Sequence, residues 1–144
     1  MTMGFGMTYD QNNIFARILR GELPKVAVYE DEATLAFLDI MPSVEGHTLV
    51  IPKENAQSIL DLSPEGAAAL IRTTQTVAKA VKRALDAPGI MLVQLNGAAA
   101  GQSVPHIHFH VLPRSEGLDL KLHGRGMVAP EALERVAARI RAAL

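Results

Sequence analysis

Histidine recurs with a period of two in His106-Ile107-His108-Phe109-His110. In extended backbone, that period puts His106, His108 and His110 on one face and Ile107, Phe109 and Val111 on the other. The chain must therefore build a strand with one face in a hydrophobic core and the other carrying imidazoles. At about 3.3 Å per residue, His106 and His110 start roughly 13 Å apart at Cα. Two neighbours could share a zinc ion, but all three reach one ion only if the strand bends. The row suits another arrangement better: a central histidine does the chemistry, and its neighbours orient it, move a proton or contact a bound oxyanion. Imidazole is the side chain that can act as nucleophile, base or acid near neutral pH. Three of the chain's five histidines stand in this row, and their apolar reverse face argues against a histidine-rich surface strand.

The rest of the chain reads as a single α+β domain over residues 11–144, preceded by a loose tail over residues 1–10. Asn12 or Asn13 caps a short helix carrying Ile14, Phe15, Ile18 and Leu19, and Gly21 stops it. Apolar and β-branched runs predict strands at 26–30, 34–40 and 47–53. Ser63-Pro64-Glu65 opens a long helix running to about Leu85, with Leu70, Val77 and Val81 on its apolar face, joined by Ile71, Ala78 and Leu85. Pro88-Gly89 breaks the chain before a strand at 90–95. A small-residue loop at 96–101 leads to the histidine strand at 106–112. Residues 113–128 read as an irregular loop. Residues 129–144 read as a C-terminal helix with Leu133, Val136, Ala137, Ile140 and Leu144 along one stripe.

Composition narrows the function classes. There is no cysteine, which removes disulfides and thiolate zinc sites. A net charge of −1 with no basic stripe gives no footprint for a nucleic acid polymer. No apolar stretch approaches a membrane span, so no membrane partner is expected. No charged segment followed by an apolar run marks a secretory signal near Met1, so a cytoplasmic location is expected.

Gly101-Gln102-Ser103-Val104 followed by His-x-His-x-His and apolar residues resembles the signature of the histidine triad (HIT) family of nucleotide hydrolases and transferases. The resemblance runs from about Asn13 to Arg114. It implies a five-stranded antiparallel sheet with a long central helix, here followed by the C-terminal helix, and a homodimer. It also implies that His108 attacks the α-phosphorus of a bound nucleotide and carries a covalent nucleotidyl intermediate. His110 falls on the leaving-group side, and His106 is left to positioning and phosphate contact. His47, in Gly46-His47, matches a histidine that backs the triad from a neighbouring strand. Gly101, Gln102 and Ser103 match positions that line the site; Gln102 and Ser103 can donate to phosphate oxygens. Asp39 matches an acid that accepts hydrogen bonds from ribose hydroxyls. Phe37 and Ile40, with Ile18 or Phe15, match the base pocket.

Two departures bear on the substrate. Many family members carry an Asn or Gln six residues before the Gly of Gly-Gln, where this chain has Leu95; Gln94 or Asn96 beside it would have to supply that contact. The chain also has no Trp and ends in a helix, unlike the Trp-Pro-Pro-Gly-like tail of the Hint branch. His110-Val111-Leu112-Pro113-Arg114 looks more like the fragile-histidine-triad branch and bacterial HIT proteins. His123 matches nothing and reads as a surface residue. The resemblance thus implies a hydrolase that releases a nucleoside monophosphate from a purine nucleotide substrate. The leaving group is an amine, as in a phosphoramidate, or a nucleotide, as in a dinucleoside polyphosphate. No cofactor is required, though Mg²⁺ can accompany a polyphosphate. A nucleotidyltransferase of the same superfamily and a nucleotide-binding protein with little turnover are the alternatives, with a metal-binding module through the histidine row behind them.

Overall fold

Asn13 and Ser63 begin the first two helices as their side chains dictate. In a computed structural model that describes residues 8–116 and 126–144, the Asn13 side-chain oxygen accepts from the Ala16 amide at 2.9 Å and starts α1 (Ile14–Leu19). The Ser63 hydroxyl accepts from the Gly66 amide at 2.9 Å and starts α2 (Pro64–Ala84). Five strands form one antiparallel sheet: β1 (Ala27–Glu30), β2 (Thr34–Leu38), β3 (Thr48–Pro52), β4 (Gly89–Val93) and β5 (Phe109–Arg114). Their spatial order is β1-β2-β3-β5-β4. A helix α3 (Pro130–Ala142) follows. The α+β architecture expected from the sequence is the one observed. No helix among the described residues is long and apolar enough to cross a membrane.

Strand alternation divides the core in two. Ala36, Leu38, Val50, Ile107 and Val111 pack on one face with Leu70, Val77 and Val81 of α2 and Leu133, Ala137 and Ile140 of α3. Leu35, Phe37, Leu49 and Ile51 pack on the other face with Phe15 and Ile18 of α1. Every residue of β2 and β3 is buried, because these strands have cover on both sides. A buried hydroxyl pair, Thr34 Oγ1 and Thr73 Oγ1 at 2.7 Å, ties β2 to α2.

Several details differ from the sequence expectation. The histidine strand begins at Phe109, so of the three imidazoles only His110 lies in the ladder, opposite Leu49 of β3 and Val93 of β4. The β3–β5 ladder stops at Val50 and Phe109. Two positions beyond Val50 is Pro52, which has no amide to donate, and the Ile107 amide bonds the Ala56 carbonyl at 3.0 Å instead. Ile107 nevertheless keeps its place in the α2-side core, so alternation continues through extended, unladdered backbone. Ile71 lies half-exposed, while Thr73, Thr74 and Ala80 complete the buried face of α2. Thr8 and Tyr9, assigned by sequence to a loose tail, are tied to the body: Gln57 Nε2 donates to the Thr8 carbonyl, and the Tyr9 hydroxyl meets His106. Residues 1–7 of that tail, and 117–125 of the expected loop with His123, lie outside the described residues.

This register of α2 is testable by urea unfolding. Leu70→Ala empties a fully buried position and should lower stability by about 2–5 kcal/mol. Ile71→Ala, one residue on but half-exposed, should stay within about 0.5 kcal/mol of the parent.

Candidate active site

On the α1 side of the sheet lies a cavity of about 370 Å³. Phe15, Ile18, Phe37 and Leu49 form its apolar wall, and Asp39, Ser103, His108 and His110 bring polar groups to it. It exists because α1 is only six residues long and leaves part of this sheet face uncovered. A larger cavity of about 450 Å³, between α3 and residues 42–47, shares Leu38 and Asp39 with it. That one reaches His47 but none of the three triad histidines, so of the two cavities His108 and His110 line only the α1-side one.

Backbone groups of fixed polarity assign the imidazole protons there. The His106 carbonyl lies 2.7 Å from His108 Nδ1. A carbonyl only accepts, so the His108 proton sits on Nδ1 and the lone pair on Nε2. The Ser43 amide donates to His47 Nδ1 at 3.1 Å. His47 therefore carries its proton on Nε2 and donates to His110 Nδ1 at 2.9 Å. His110 is left with its own proton on Nε2. One side of the cavity thus presents an imidazole lone pair from His108 and an imidazole N–H from His110, with the two rings 5.0 Å apart. Asp39 Oδ2 stands 3.7 Å from His47 Nε2, and its Oδ1 accepts from the Met41 amide at 2.8 Å. Phe15 stands perpendicular to His108 at 4.9 Å between ring centres, so it walls the cavity and holds the imidazole in place.

The other sequence candidates divide. Ser103 and Ile40 line the cavity, and both are exposed to solvent. His106 does not line it. The ring is fully buried, with Nε2 at 2.8 Å from the Pro52 carbonyl and Nδ1 at 2.5 Å from the Tyr9 hydroxyl. Both nitrogens are thereby occupied by protein partners, which leaves phosphate contact without an atom to make it. Gln102 is buried as well: its Oε1 accepts from the Gly97 amide, and its Nε2 donates to the carbonyls of Gln57 and Val104. It holds the loop that carries Ser103. Asn96 and Gln94 bond each other through their carboxamides, and Asn96 Oδ1 also accepts from the Ile59 amide, outside the cavity. Gly101 sits at φ +99°, where a side chain would be strained, and an added Cβ would stand 3.3 Å from Leu95 Cδ1. Its contribution is backbone geometry.

Three participants escaped sequence reasoning. Ser43 acts through its amide and Tyr9 through its hydroxyl; neither has a motif. Lys25 is far from the triad in sequence, yet it lines the cavity. The Leu38 amide donates to the Val26 carbonyl at 3.0 Å, and this antiparallel pairing brings Lys25 opposite Asp39. Among the described residues no group of three His, Cys, Asp or Glu side chains is arranged to hold a metal ion.

Burial pushes His106 below the ordinary histidine range, against the opposing pull of the Pro52 carbonyl and the Asp61 charge. A histidine held neutral in the native state stabilises the fold fully above the unfolded value of about 6.5. Below that pH the unfolded chain takes a proton that the native state refuses, and stability falls. Urea midpoints measured from about pH 7.5 down to about pH 5.5 should therefore drop more steeply for the parent than for His106→Gln, the difference approaching at most about 1.4 kcal/mol per pH unit.

A model of the HIT domain matches residues 20–117. An uncharacterised HIT-like protein of Methanocaldococcus jannaschii is 42% identical over 104 residues, covering 72% of this chain and 80% of that protein. Adenosine 5'-monophosphoramidase of Schizosaccharomyces pombe is 41% identical over 101 residues, covering 70% of this chain and 73% of that one. The crystal structure of a HIT-like protein involved in cell-cycle regulation from Bartonella henselae superposes with a TM-score of 0.89 at 48% identity, over 96% of this chain and 100% of the other. The domain match spans most of the chain and contains the whole His106–His110 row, so this protein belongs to the HIT family.

Proposed function

We propose that this protein is a nucleotide hydrolase that works through a nucleotidyl intermediate on His108. The observation that carries the reading is the 2.7 Å bond from His108 Nδ1 to the His106 carbonyl. With the proton on Nδ1, the lone pair is on Nε2 of a histidine that lines a mostly apolar cavity carrying a few polar groups, which supports a nucleophilic role. The apolar wall of Phe15, Ile18 and Phe37 accepts a flat purine. Asp39 takes the ribose hydroxyls, since a carboxylate can accept from both. Ser103 and the His110 Nε2–H donate to the α-phosphate and the leaving atom, where negative charge develops. Lys25, across from Asp39, adds a cation at the cavity wall.

In the first step His108 Nε2 bonds to the α-phosphorus and the bond to the leaving group breaks. In the second, water displaces His108 and gives up a proton to solvent, and the nucleoside monophosphate departs. The resting hydrogen bonds set one condition on this scheme. With the Ser43 amide on His47 Nδ1, the His47 proton bonds His110 Nδ1 and the His110 proton sits on Nε2. His110 therefore acts as a hydrogen-bond donor to the leaving atom. The net proton that an amine leaving group needs comes in on the substrate nitrogen or from solvent; a nucleotide leaving group departs as its anion. Mg²⁺ enters as the counter-ion of a polyphosphate substrate. The phosphoramidase name of the fission yeast relative, 41% identical, supports the amine branch.

The test sets AMP phosphoramidate beside diadenosine tetraphosphate and follows AMP release by chromatography. Cleavage of at least one is expected, with His108→Ala slower by on the order of 10³-fold or more. His47→Ala, which unlocks the His110 tautomer, should lower kcat by about 10²-fold. Absence of His108-dependent cleavage of either compound, with nucleotide binding retained, would replace this reading with that of a nucleotide-binding protein.

A further inference from the structure

The triad's catalytic row depends on a carbonyl that the sheet does not hold. His106 precedes the ladder, which begins at Phe109. Its amide bonds the Val104 carbonyl two residues back at 2.9 Å, and only the next residue, Ile107, reaches across to the Ala56 carbonyl. What anchors residue 106 is its side chain. Nε2–H donates to the Pro52 carbonyl at the end of β3, at 2.8 Å. That leaves Nδ1 as an acceptor, and the Tyr9 hydroxyl donates to it at 2.5 Å. The two rings meet edge to face at 5.7 Å.

Tyr9 is itself well fixed. Asp10, the next residue, accepts from the Asn13 amide and side chain through its carbonyl, at 3.2 and 2.7 Å, and Asn13 caps α1. On the other side, Gln57 Nε2 donates to the Thr8 carbonyl while the Gln57 carbonyl accepts from Gln102. The segment 8–13 is therefore clamped between the start of α1 and the loop leading to the triad. Phe15, from the same stretch of chain, stands against the His106 ring at 6.3 Å and the His108 ring at 4.9 Å. Burial raises the Tyr9 hydroxyl above the ordinary tyrosine range, so it stays a donor.

We propose that Tyr9 is a positioning residue for the nucleophile: its hydroxyl fixes the His106 ring, the ring fixes the His106 carbonyl, and that carbonyl holds the His108 proton on Nδ1 so that Nε2 faces the phosphorus. The contribution to turnover rests on the hydrolase reading above; the contribution to the His108 tautomer does not. Without the hydroxyl, His106 Nδ1 is a buried acceptor lacking its donor. The ring and carbonyl then move, and His108 divides between its two tautomers, one of which has no lone pair on Nε2.

The test is Tyr9→Phe in the full chain, read by ring-nitrogen NMR shifts of His106 and His108 and by kcat and KM on AMP phosphoramidate and diadenosine tetraphosphate. Tyr29→Phe serves as the control, since Tyr29 bonds Asp31 on the distant β1 edge. The parent and the control should show His108 protonated at Nδ1. Tyr9→Phe should move both His108 nitrogen signals toward a tautomer average and lower kcat about tenfold, with KM within about twofold. His108 signals in Tyr9→Phe identical to the parent would overturn the proposal, whatever happens to kcat. Should the parent itself cleave neither substrate, the hydrolase reading fails, and the His108 signals alone still decide the role of Tyr9.

Discussion

Ile107 and Val111 are fully buried in the core beneath α2, with Phe109 packed against it. The two-residue period of extended backbone then leaves His106, His108 and His110 on the opposite face. The chemical row is thus held from behind by hydrophobic packing, and its position is as rigid as the core. The same alternation in β2 sends Leu38 to the core and Phe37 to the cavity wall. Core and site are the two faces of one sheet, so neither can shift register alone: a one-residue slip would turn the imidazoles into the core beneath α2 and the apolar side chains toward the cavity.

Packing fixes where the imidazoles are; backbone groups fix what they can do. A neutral imidazole has one donor and one acceptor nitrogen, and its partner decides which is which. Here the deciding partners are the Ser43 amide and the carbonyls of His106 and Pro52, none of which can reverse its polarity. From these three follow a lone pair on His108 Nε2, an N–H on His110 Nε2 and an acceptor at His106 Nδ1. The last is met by Tyr9. A lone pair beside a donor is the pairing that the proposed transfer at phosphorus uses.

Much of this was legible from residue types and spacing. The His-x-His-x-His period gave the two-faced strand and the caps at Asn13 and Ser63 gave the helix starts, while the family resemblance pointed to Asp39 and Phe37, which both line the cavity. What could not be read was the choice of partner for each polar group. Gln102 has the chemistry of a phosphate donor, but three backbone groups take its carboxamide. Asn96 is drawn to the Ile59 amide. His106 looks equivalent to its neighbours, yet it turns into the protein because β3 ends in a proline whose carbonyl remains to be met. Tyr9 and Lys25 reach the site through tertiary pairing across long sequence separations, which no local pattern encodes. Ser43 contributes a backbone amide, which every residue but proline possesses.

The nucleotidyl intermediate proposed on His108 can be caught directly. The direct measurement is to mix the protein with AMP phosphoramidate, quench within the first turnover under conditions that preserve phosphorus–nitrogen bonds, and map the modified peptide by mass spectrometry. The expected result is an adenylyl adduct on His108 that forms before AMP is released and then decays. AMP released at the full rate with no adduct, or with the adduct on His106, His110 or another residue, would contradict it.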